Sequence, residues 1–382
     1  MHRTRAGVAC QAPGVQRRPS RGGRAFRLAQ GAAAVVAVAR LARGRGRRAP
    51  LASQDAPRPP VPVSVVIPAR DEAARLAPCL AGLRDEGDVA EVIVVDDRSA
   101  DDTAAVARAG GARVVAGGEP PDGWVGKPWA LQQGLEAAAG EVVVTLDADT
   151  RPRPGLVRAV VAQLERDEDL VSAGVRFLVP GAGERLLHPA LLATLVYRYG
   201  PIGVDEEGPA RANRVLANGQ CMAFRRAPFR TAGGFAPAAR HLTDDVALAR
   251  AYVGRGWRLR FVDCADLLEV RMYDGLADTW RGWGRSIALA DVTPPAQRAL
   301  DLAVVWLALA LPLPRVLLRR GGRLDLGLAA IRLALVVPFA RAYRPRGVAY
   351  ALSPLADVPA AVRLTLSAVR PSRSWRGRTY DA

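Results

Sequence analysis

Lysine is almost absent from this 382-residue chain: of 54 basic residues, only Lys127 is not arginine. The bias suggests a GC-rich genome and makes the one retained lysine a position to examine. Cysteine is also scarce. Cys10, Cys79, Cys221 and Cys264 form no C-x-x-C pair, which argues against a zinc site or a disulfide framework and fits a reduced compartment. Neither His188 nor His241 has ligand-like spacing. No G-x-G-x-x-G follows the first strand-like segment, which disfavours a dinucleotide fold, and no G-x-x-x-x-G-K-[ST] occurs anywhere, which removes the P-loop.

The net charge of +17 would suit a nucleic-acid binder if it lay on the folded domain. It lies at the ends instead. Residues 1–58 carry +12 and residues 298–382 carry +10, leaving 59–297 at −5. Arg-rich flanks beside apolar stretches fit an anionic membrane surface and its cytoplasmic side, and an acidic centre counts against nucleic acid.

Three regions follow. Residues 1–60 are rich in Arg, Gly, Ala and Pro and hold one weak apolar stretch, Gly31 to Ala39, too short to span a bilayer. They read as a disordered tail, a weak membrane anchor, or the product of an upstream start codon wrongly assigned. Residues 61–290 alternate strand and helix patterns. Strands are expected at 63–67, 91–95, 113–115 and 142–146, and helices at 72–83, 102–109 and 129–139, which implies an α/β fold with a mostly parallel sheet and helices on both faces. In residues 291–382, the stretches 302–318 and 326–340 are apolar but interrupted by Pro312, Pro314, Arg315 and Arg332. They read as membrane-associated helices, re-entrant, interfacial or spanning, or as buried helices of a soluble domain.

The chemistry gathers at strand ends. Val142–Leu146 runs into Asp147-Ala148-Asp149, and period-2 geometry puts both acids on one side of the chain as it leaves the strand, where open α/β sheets bind ligands. Side-by-side carboxylates repel unless a cation or proton lies between them, and a hard divalent cation carrying a phosphate is the usual resolution. The alternative is a solvated turn. The first strand ends in Pro68-Ala69-Arg70-Asp71-Glu72 and the second in Asp96-Asp97, groups suited to a base or ribose hydroxyl in the same crevice. Asp244-Asp245 offers adjacent acids behind Thr243, an N-cap candidate; it suits proton transfer, or simply an acidic first helical turn. Lys127 suits a phosphate, or a solvated loop.

Together these motifs resemble a family 2 glycosyltransferase of the nucleotide-sugar-dependent, Rossmann-like type. The resemblance rests on VSVVIPARDE (63–72), EVIVVDDRSADDT (91–103), GWVGKPWAL (123–131), VVVTLDADT (142–150), NGQCMAFRR (218–226), GGF (233–235) and TDDVAL (243–248). It implies that Pro68, Ala69, Arg70, Glu72 and Asp97 hold uracil and ribose. It implies that Asp147 and Asp149 bind Mn2+ or Mg2+ with the sugar diphosphate, and that Asp245, beside Asp244, is the base. The G-W-x-G-K segment resembles subgroups acting on carotenoid, hopanoid or other lipid-like acceptors, with Trp124 and Lys127 near the donor. Arg281 and Arg285 occupy the place of a Q-x-x-R-W motif that is not reproduced, which puts processive synthesis in doubt, although either could contact pyrophosphate. Asn218-Gly219-Gln220 either shapes the acceptor side or forms a tight turn.

The expected activity is inverting, metal-dependent transfer of a sugar from a nucleoside diphosphate donor, UDP-linked, to a hydroxyl of a lipophilic acceptor at the cytoplasmic face of the membrane. Inversion follows from a single base with no second nucleophilic carboxylate assigned. A sugar-1-phosphate nucleotidyltransferase would need a Gly-rich basic loop after the first strand, which is lacking. A catalytically silent membrane scaffold would show no donor hydrolysis.

Overall fold

The computed structural model describes residues 21–52, 56–164, 168–204 and 211–370, and the backbone of 374–375 and 378–379. Its first element is a helix, α1 (Arg21–Ala42). The α/β part then runs β1 (Val63–Ala69), α2 (Ala73–Leu83), β2 (Glu91–Asp96), α3 (Thr103–Ala109), β3 (Arg113–Ala116), α4 (Gly126–Ala137), β4 (Val142–Leu146), β5 (Thr150–Pro152), α5 (Leu156–Leu164), β6 (Leu170–Gly174), β7 (Arg176–Leu178), α6 (Ala182–Tyr199), β8 (Cys221–Arg225), α7 (Arg226–Thr231), α8 (Asp244–Gly254), β9 (Leu259–Asp263), β10 (Leu268–Val270) and α9 (Leu276–Ser286). The remainder is α10 (Pro295–Val304), α11 (Pro312–Leu317), α12 (Arg323–Ala334), α13 (Val336–Phe339), β11 (Tyr343–Arg344), α14 (Val348–Ala351) and α15 (Asp357–Val369).

The main sheet has the order β3-β2-β1-β4-β8-β6-β9. Neighbours are parallel except that β8 runs against both β4 and β6, so the mostly parallel sheet holds with one reversed strand. Burial on both faces explains the unbroken Val/Ile/Leu runs. Val63, Val65, Ile67, Val142 and Val144 pack toward α2 and α5 on one face, whereas Val66, Ile93, Val95 and Val143 pack toward α4 and α8 on the other. A second sheet, β11-β7-β10-β5, has no counterpart in the sequence expectations; its strands are two or three residues long, below the length at which alternation can be read.

Helix α4 begins at Gly126, three residues earlier than expected, which puts Lys127 in its first turn. Pro128 is tolerated there because the first-turn N–H groups have no intrahelical acceptor.

Within the 1–60 region expected as a disordered tail or weak membrane anchor, residues 21–42 form a helix, with Ala33, Ala34 and Ala37 packed in a core with Leu187, Leu191 and Tyr197 of α6; residues 1–20 and 53–55 lie outside the described residues. The apolar layers cross the expected division at residue 290. α6 and α9, from inside the α/β sequence, share one apolar core with α1, α10, α12 and α15. Ahead of Pro312 the α10 helix widens into a π turn over Val305–Ala310, with the Leu311 N–H donating to the Trp306 carbonyl at 3.0 Å. This relieves the clash between a helical proline ring and the preceding turn. Pro295–Leu317, like Arg21–Gly46, is long and apolar enough to cross a bilayer by length and composition.

Candidate active site

The crevice is built from the carboxyl ends of β1, β2 and β4. Beyond β1 and β2 the chain turns at Asp71 and Arg98, with φ of 52° and 54°, a left-handed conformation that the short polar side chain of Asp71 tolerates better than most. The loops lock together there. The Asp71 N–H donates to Ser99 Oγ at 3.0 Å, and the Ala100 N–H donates to Asp71 Oδ1 at 2.7 Å. Behind them the Asp97 N–H donates to the Ala69 carbonyl at 2.8 Å and Arg70 Nη1 donates to the Asp97 carbonyl at 3.0 Å. The carboxylate of Asp97 is thereby held, buried, at the crevice wall.

Beyond β4 the chain does not continue extended. The Thr150 N–H and Oγ1 both donate to the Asp147 carbonyl, at 3.1 and 2.7 Å, and this turn gives the two acids different neighbours. Asp147 meets Lys127, whose Nζ lies 2.8 Å from Oδ1 and 3.1 Å from Oδ2. Asp149 is turned inward and its Oδ1 is buried with no hydrogen-bond partner. Burial, with the nearby charges of Asp147 and Glu72, raises its pKa to about 7.

β8 pairs Cys221 with Leu146, so Asn218-Gly219-Gln220 lies opposite the acid turn, and the Asp147 N–H donates to the Gln220 carbonyl at 3.1 Å. Gly219 is where three distant segments touch. Its N–H donates to Asp245 Oδ2 at 2.8 Å, and a Cβ there would come within 3.1 Å of Asp245 Cβ and 3.2 Å of Lys127 Nζ. Asp244 and Asp245 occupy the first turn of α8, where exposed N–H groups favour negative charge. Asp244 Oδ2 lies 3.8 Å from Lys127 Nζ. Burial and the charges of Asp245 and Asp147 raise Asp244 to about 7, with Lys127 opposing. Asp245 is also raised by burial, and Lys127 with the N–H groups of Gly219 and Val246 works against that. Burial disfavours the Lys127 cation, but Asp147, Asp244 and Asp245 outweigh it and hold it protonated.

Among the described residues no three His, Cys, Asp or Glu side chains gather as a metal cage. The unpartnered Asp149 oxygen beside Asp147 nevertheless fits a hard cation that takes one or two carboxylates and fills its other positions with phosphate oxygens.

These groups line one end of a cavity of about 670 Å³. Its other end is apolar, walled by Phe177 of β7, Leu192, Leu195 and Val196 of α6, and Trp283, Pro338 and Phe339 from the helical layer. Of the residues singled out in the sequence, Pro68, Ala69, Arg70, Glu72, Asp97, Lys127, Asp147, Asp149, Asn218, Gly219, Gln220, Asp244, Asp245 and Arg285 line it. Two expected residues do not. Trp124 packs edge-on against Trp129 with centroids 5.3 Å apart, and Arg281 is exposed on α9 between Asp278 and Trp283, which do line the cavity.

Residues 64–232 match the family model described as Glycosyl transferase family 2. That segment is a family 2 glycosyltransferase domain. Among curated proteins, a 4,4'-diaponeurosporenoate glycosyltransferase of Staphylococcus aureus (strain MRSA252) is 29% identical over 251 residues, which cover 64% of this chain and 65% of the relative. Among solved structures, a mannosyltransferase from Pyrobaculum calidifontis in complex with GDP-Man and Mn2+ aligns with 91% of this chain and 97% of its own, at a TM-score of 0.49 and 19% identity. Glucosyl-3-phosphoglycerate synthase from Mycobacterium tuberculosis aligns with 70% and 81%, at 0.41 and 23%.

Sequence reading missed Arg75, inside the matched segment, and Tyr273, beyond it. Arg75 lies one turn beyond Glu72, 3.9 Å from its carboxylate, and is bonded to Asp274 at 2.8 Å; its i,i+3 spacing from Glu72 was the available signal. Tyr273 lines the cavity and packs so closely on α9 that a Cβ at Gly282 would lie 2.0 Å from its ring. No local pattern marks it.

Proposed function

We propose that this protein transfers one sugar, with inversion, from a nucleoside diphosphate donor, UDP-linked, to a hydroxyl of a lipophilic acceptor at the cytoplasmic face of a membrane. The observation that carries this is the single cavity with two chemically opposite ends, acids and cations at one and an apolar wall at the other. In this reading Pro68, Ala69, Arg70, Glu72 and Asp97 receive the nucleoside. Asp147 and Asp149 hold Mn2+ or Mg2+, which when bound neutralises charge on the leaving diphosphate. Lys127 is retained as the compact cation on the same side, and Arg285 lies at the cavity lining within reach of a phosphate-bearing ligand.

Asp245 acts as base. As the acceptor oxygen attacks the anomeric carbon, the bond from that carbon to the diphosphate oxygen breaks, the nucleoside diphosphate leaves with the electron pair, and the hydroxyl proton passes to Asp245. The Gly219 N–H holds Oδ2 of Asp245 and the Val246 N–H holds its Oδ1, each at 2.8 Å, so the group is oriented within the cavity. Asp244, drawn toward Lys127, balances that lysine rather than taking the proton. The lipophilic acceptor is supported by the apolar wall and by the curated relatives named as 4,4'-diaponeurosporenoate glycosyltransferases. Membrane association is supported by the two long apolar helices.

Calorimetry of UDP with and without Mn2+ tests the donor half: binding is expected only, or far more strongly, with metal, and metal-independent binding would remove Asp147 and Asp149 from that role. Mass spectrometry of lipid extracts from cells with and without the gene tests the acceptor half; an unchanged glycolipid profile would overturn it.

A further inference from the structure

Soluble domains turn apolar faces inward and charged faces outward. The helical layer departs from this: around its apolar core it also buries charges and turns large apolar side chains outward. On α12 and α13 the residues Leu326, Ala330, Leu333, Ala334, Val337 and Pro338 are all exposed, at spacings of four, seven, eight, eleven and twelve that make one stripe along a single helix face. The two helices run on without a break, the Phe339 N–H donating to the Leu335 carbonyl at 3.2 Å. The opposite face buries charge: Arg332 grips Asp357 of α15 through two bonds of 2.8 and 2.9 Å, and Asp325 accepts from Gln30 of α1 at 2.7 Å.

Its packing partners follow the same rule. α1 exposes Leu28, Val35 and Val38 while burying Gln30, and α15 exposes Val362, Leu366 and Val369 while burying Asp357 and Ser367. Among the described residues, no large apolar side chain between 43 and 275 is exposed in this way. Charge turned inward and hydrocarbon turned outward is the arrangement of helices solvated by lipid.

The stripe is thirteen residues long, about 20 Å at 1.5 Å per residue, short of the ~30 Å hydrocarbon core. It suits a helix lying in the interface. Exposed Arg319, Arg320 and Arg323 precede it and exposed Arg346 follows it, beyond Arg341 and Arg344, which pair with Asp266 and Glu269, so both ends carry a cation suited to anionic head groups. It also ends at the cavity: Val337 is 78% exposed, and the next two residues, Pro338 and Phe339, line the apolar wall opposite Leu192 and Phe177.

Resting on the lipophilic-acceptor reading above, we infer that the α12–α13 stripe is a surface for an anionic bilayer and that the acceptor enters the cavity sideways from that bilayer, past Val337, with Pro338 and Phe339 as its threshold. The acceptor then never crosses water. Its chain stays along Phe177, Leu192 and Leu195 while its polar end advances to Asp245.

The test uses the full chain with vesicles of phosphatidylcholine containing one-third phosphatidylglycerol, doped with a diazirine-bearing long-chain alcohol as photoprobe. Flotation with these vesicles and labelling of peptides covering 338–342 and 192–196 are expected. Val337→Glu should lower that labelling at least about tenfold, because a carboxylate is costly in the bilayer, while circular dichroism and UDP-sugar hydrolysis stay as in the parent. Failure to float, labelling that bypasses the cavity wall, equal labelling of Val337→Glu, or a vesicle-free dimer that hides the stripe would each overturn the inference. If the wall is labelled but neither protein hydrolyses a UDP-sugar, the portal stands and the transferase reading falls.

Discussion

Asp149 has a buried, unpartnered oxygen beside two other carboxylates, so its ionised form is unfavourable without a counter-charge, which a bound cation would supply. The sign follows from linkage. With a folded pKa of about 7, above the 3.8 of an unperturbed aspartate, the native state binds more protons than the unfolded one between these values, and stability falls as pH rises through the window. Thermal unfolding without metal is therefore expected to show a melting temperature that drops from about pH 5 to about pH 8 more steeply in the parent than in Asp149→Asn. Adding Mn2+ with UDP should restore the parent alone. Metal-dependent donor affinity should run the other way, rising with pH and levelling above about 7 as the proton is no longer in competition. Asp245→Asn is expected to cut turnover by about 10²–10⁴-fold with donor binding near that of the parent, the range associated with loss of a general base. Steady-state kinetics with calorimetry checks this, and unimpaired turnover would remove the role.

Helix α4 delivers Lys127, and its seat depends on a missing side chain. A Cβ at Gly134 would come within 2.3 Å of Val66 Cγ1 on β1 and 3.1 Å of Val95 Cγ2 on β2. Gly134→Ala should destabilise the domain by about 1–3 kcal/mol through overpacking, and the displaced helix should weaken donor binding; denaturant unfolding and UDP titration measure the two effects. At this scale the sequence was legible where periodicity is local. β1, β2 and β4 fall where Val/Ile runs end in acids, and Asp97, Asp147 and Asp149 line the cavity because they follow closely on those strands, although the turn closed by Thr150, not the strand, sets the direction of Asp149. Trp124 was misread because nearness to Lys127 in the motif says nothing of direction: helix α4 starts between them and turns Lys127 inward while Trp124 packs on Trp129.

Across the whole molecule the helical layer is fastened by charge. Arg40 of α1 pairs with Asp301 of α10 at 2.9 Å, and Arg332 with Asp357, both nearly inaccessible. Removing one member of a buried pair leaves the other uncompensated, so Arg332→Met should cost about 3–5 kcal/mol. Arg332→Met with Asp357→Leu should recover most of that loss, since a well-packed apolar pair often replaces a buried ion pair without penalty. Thermal unfolding of the single and double variants decides it, and additive losses would exclude the pair as a unit.

The sequence alone determined the alternation of strands and helices, the acid clusters at strand ends and the separation of basic flanks from an acidic centre, because each is written in neighbours a few residues apart. It could not determine where the layers divide. α6 and α1 joined the C-terminal helices through contacts spanning over a hundred residues, and α9 joined α15 through contacts such as the Ser367 Oγ–H bond to the Gly284 carbonyl, 83 residues apart. Nor did it reveal the apolar wall of the cavity, drawn from β7, α6, α9 and α13, or that Arg332, Asp301, Asp325 and Asp357 of the helical layer turn inward. Those depend on which helix faces meet, and an apolar stripe has the same spacing whether it faces a core or a bilayer.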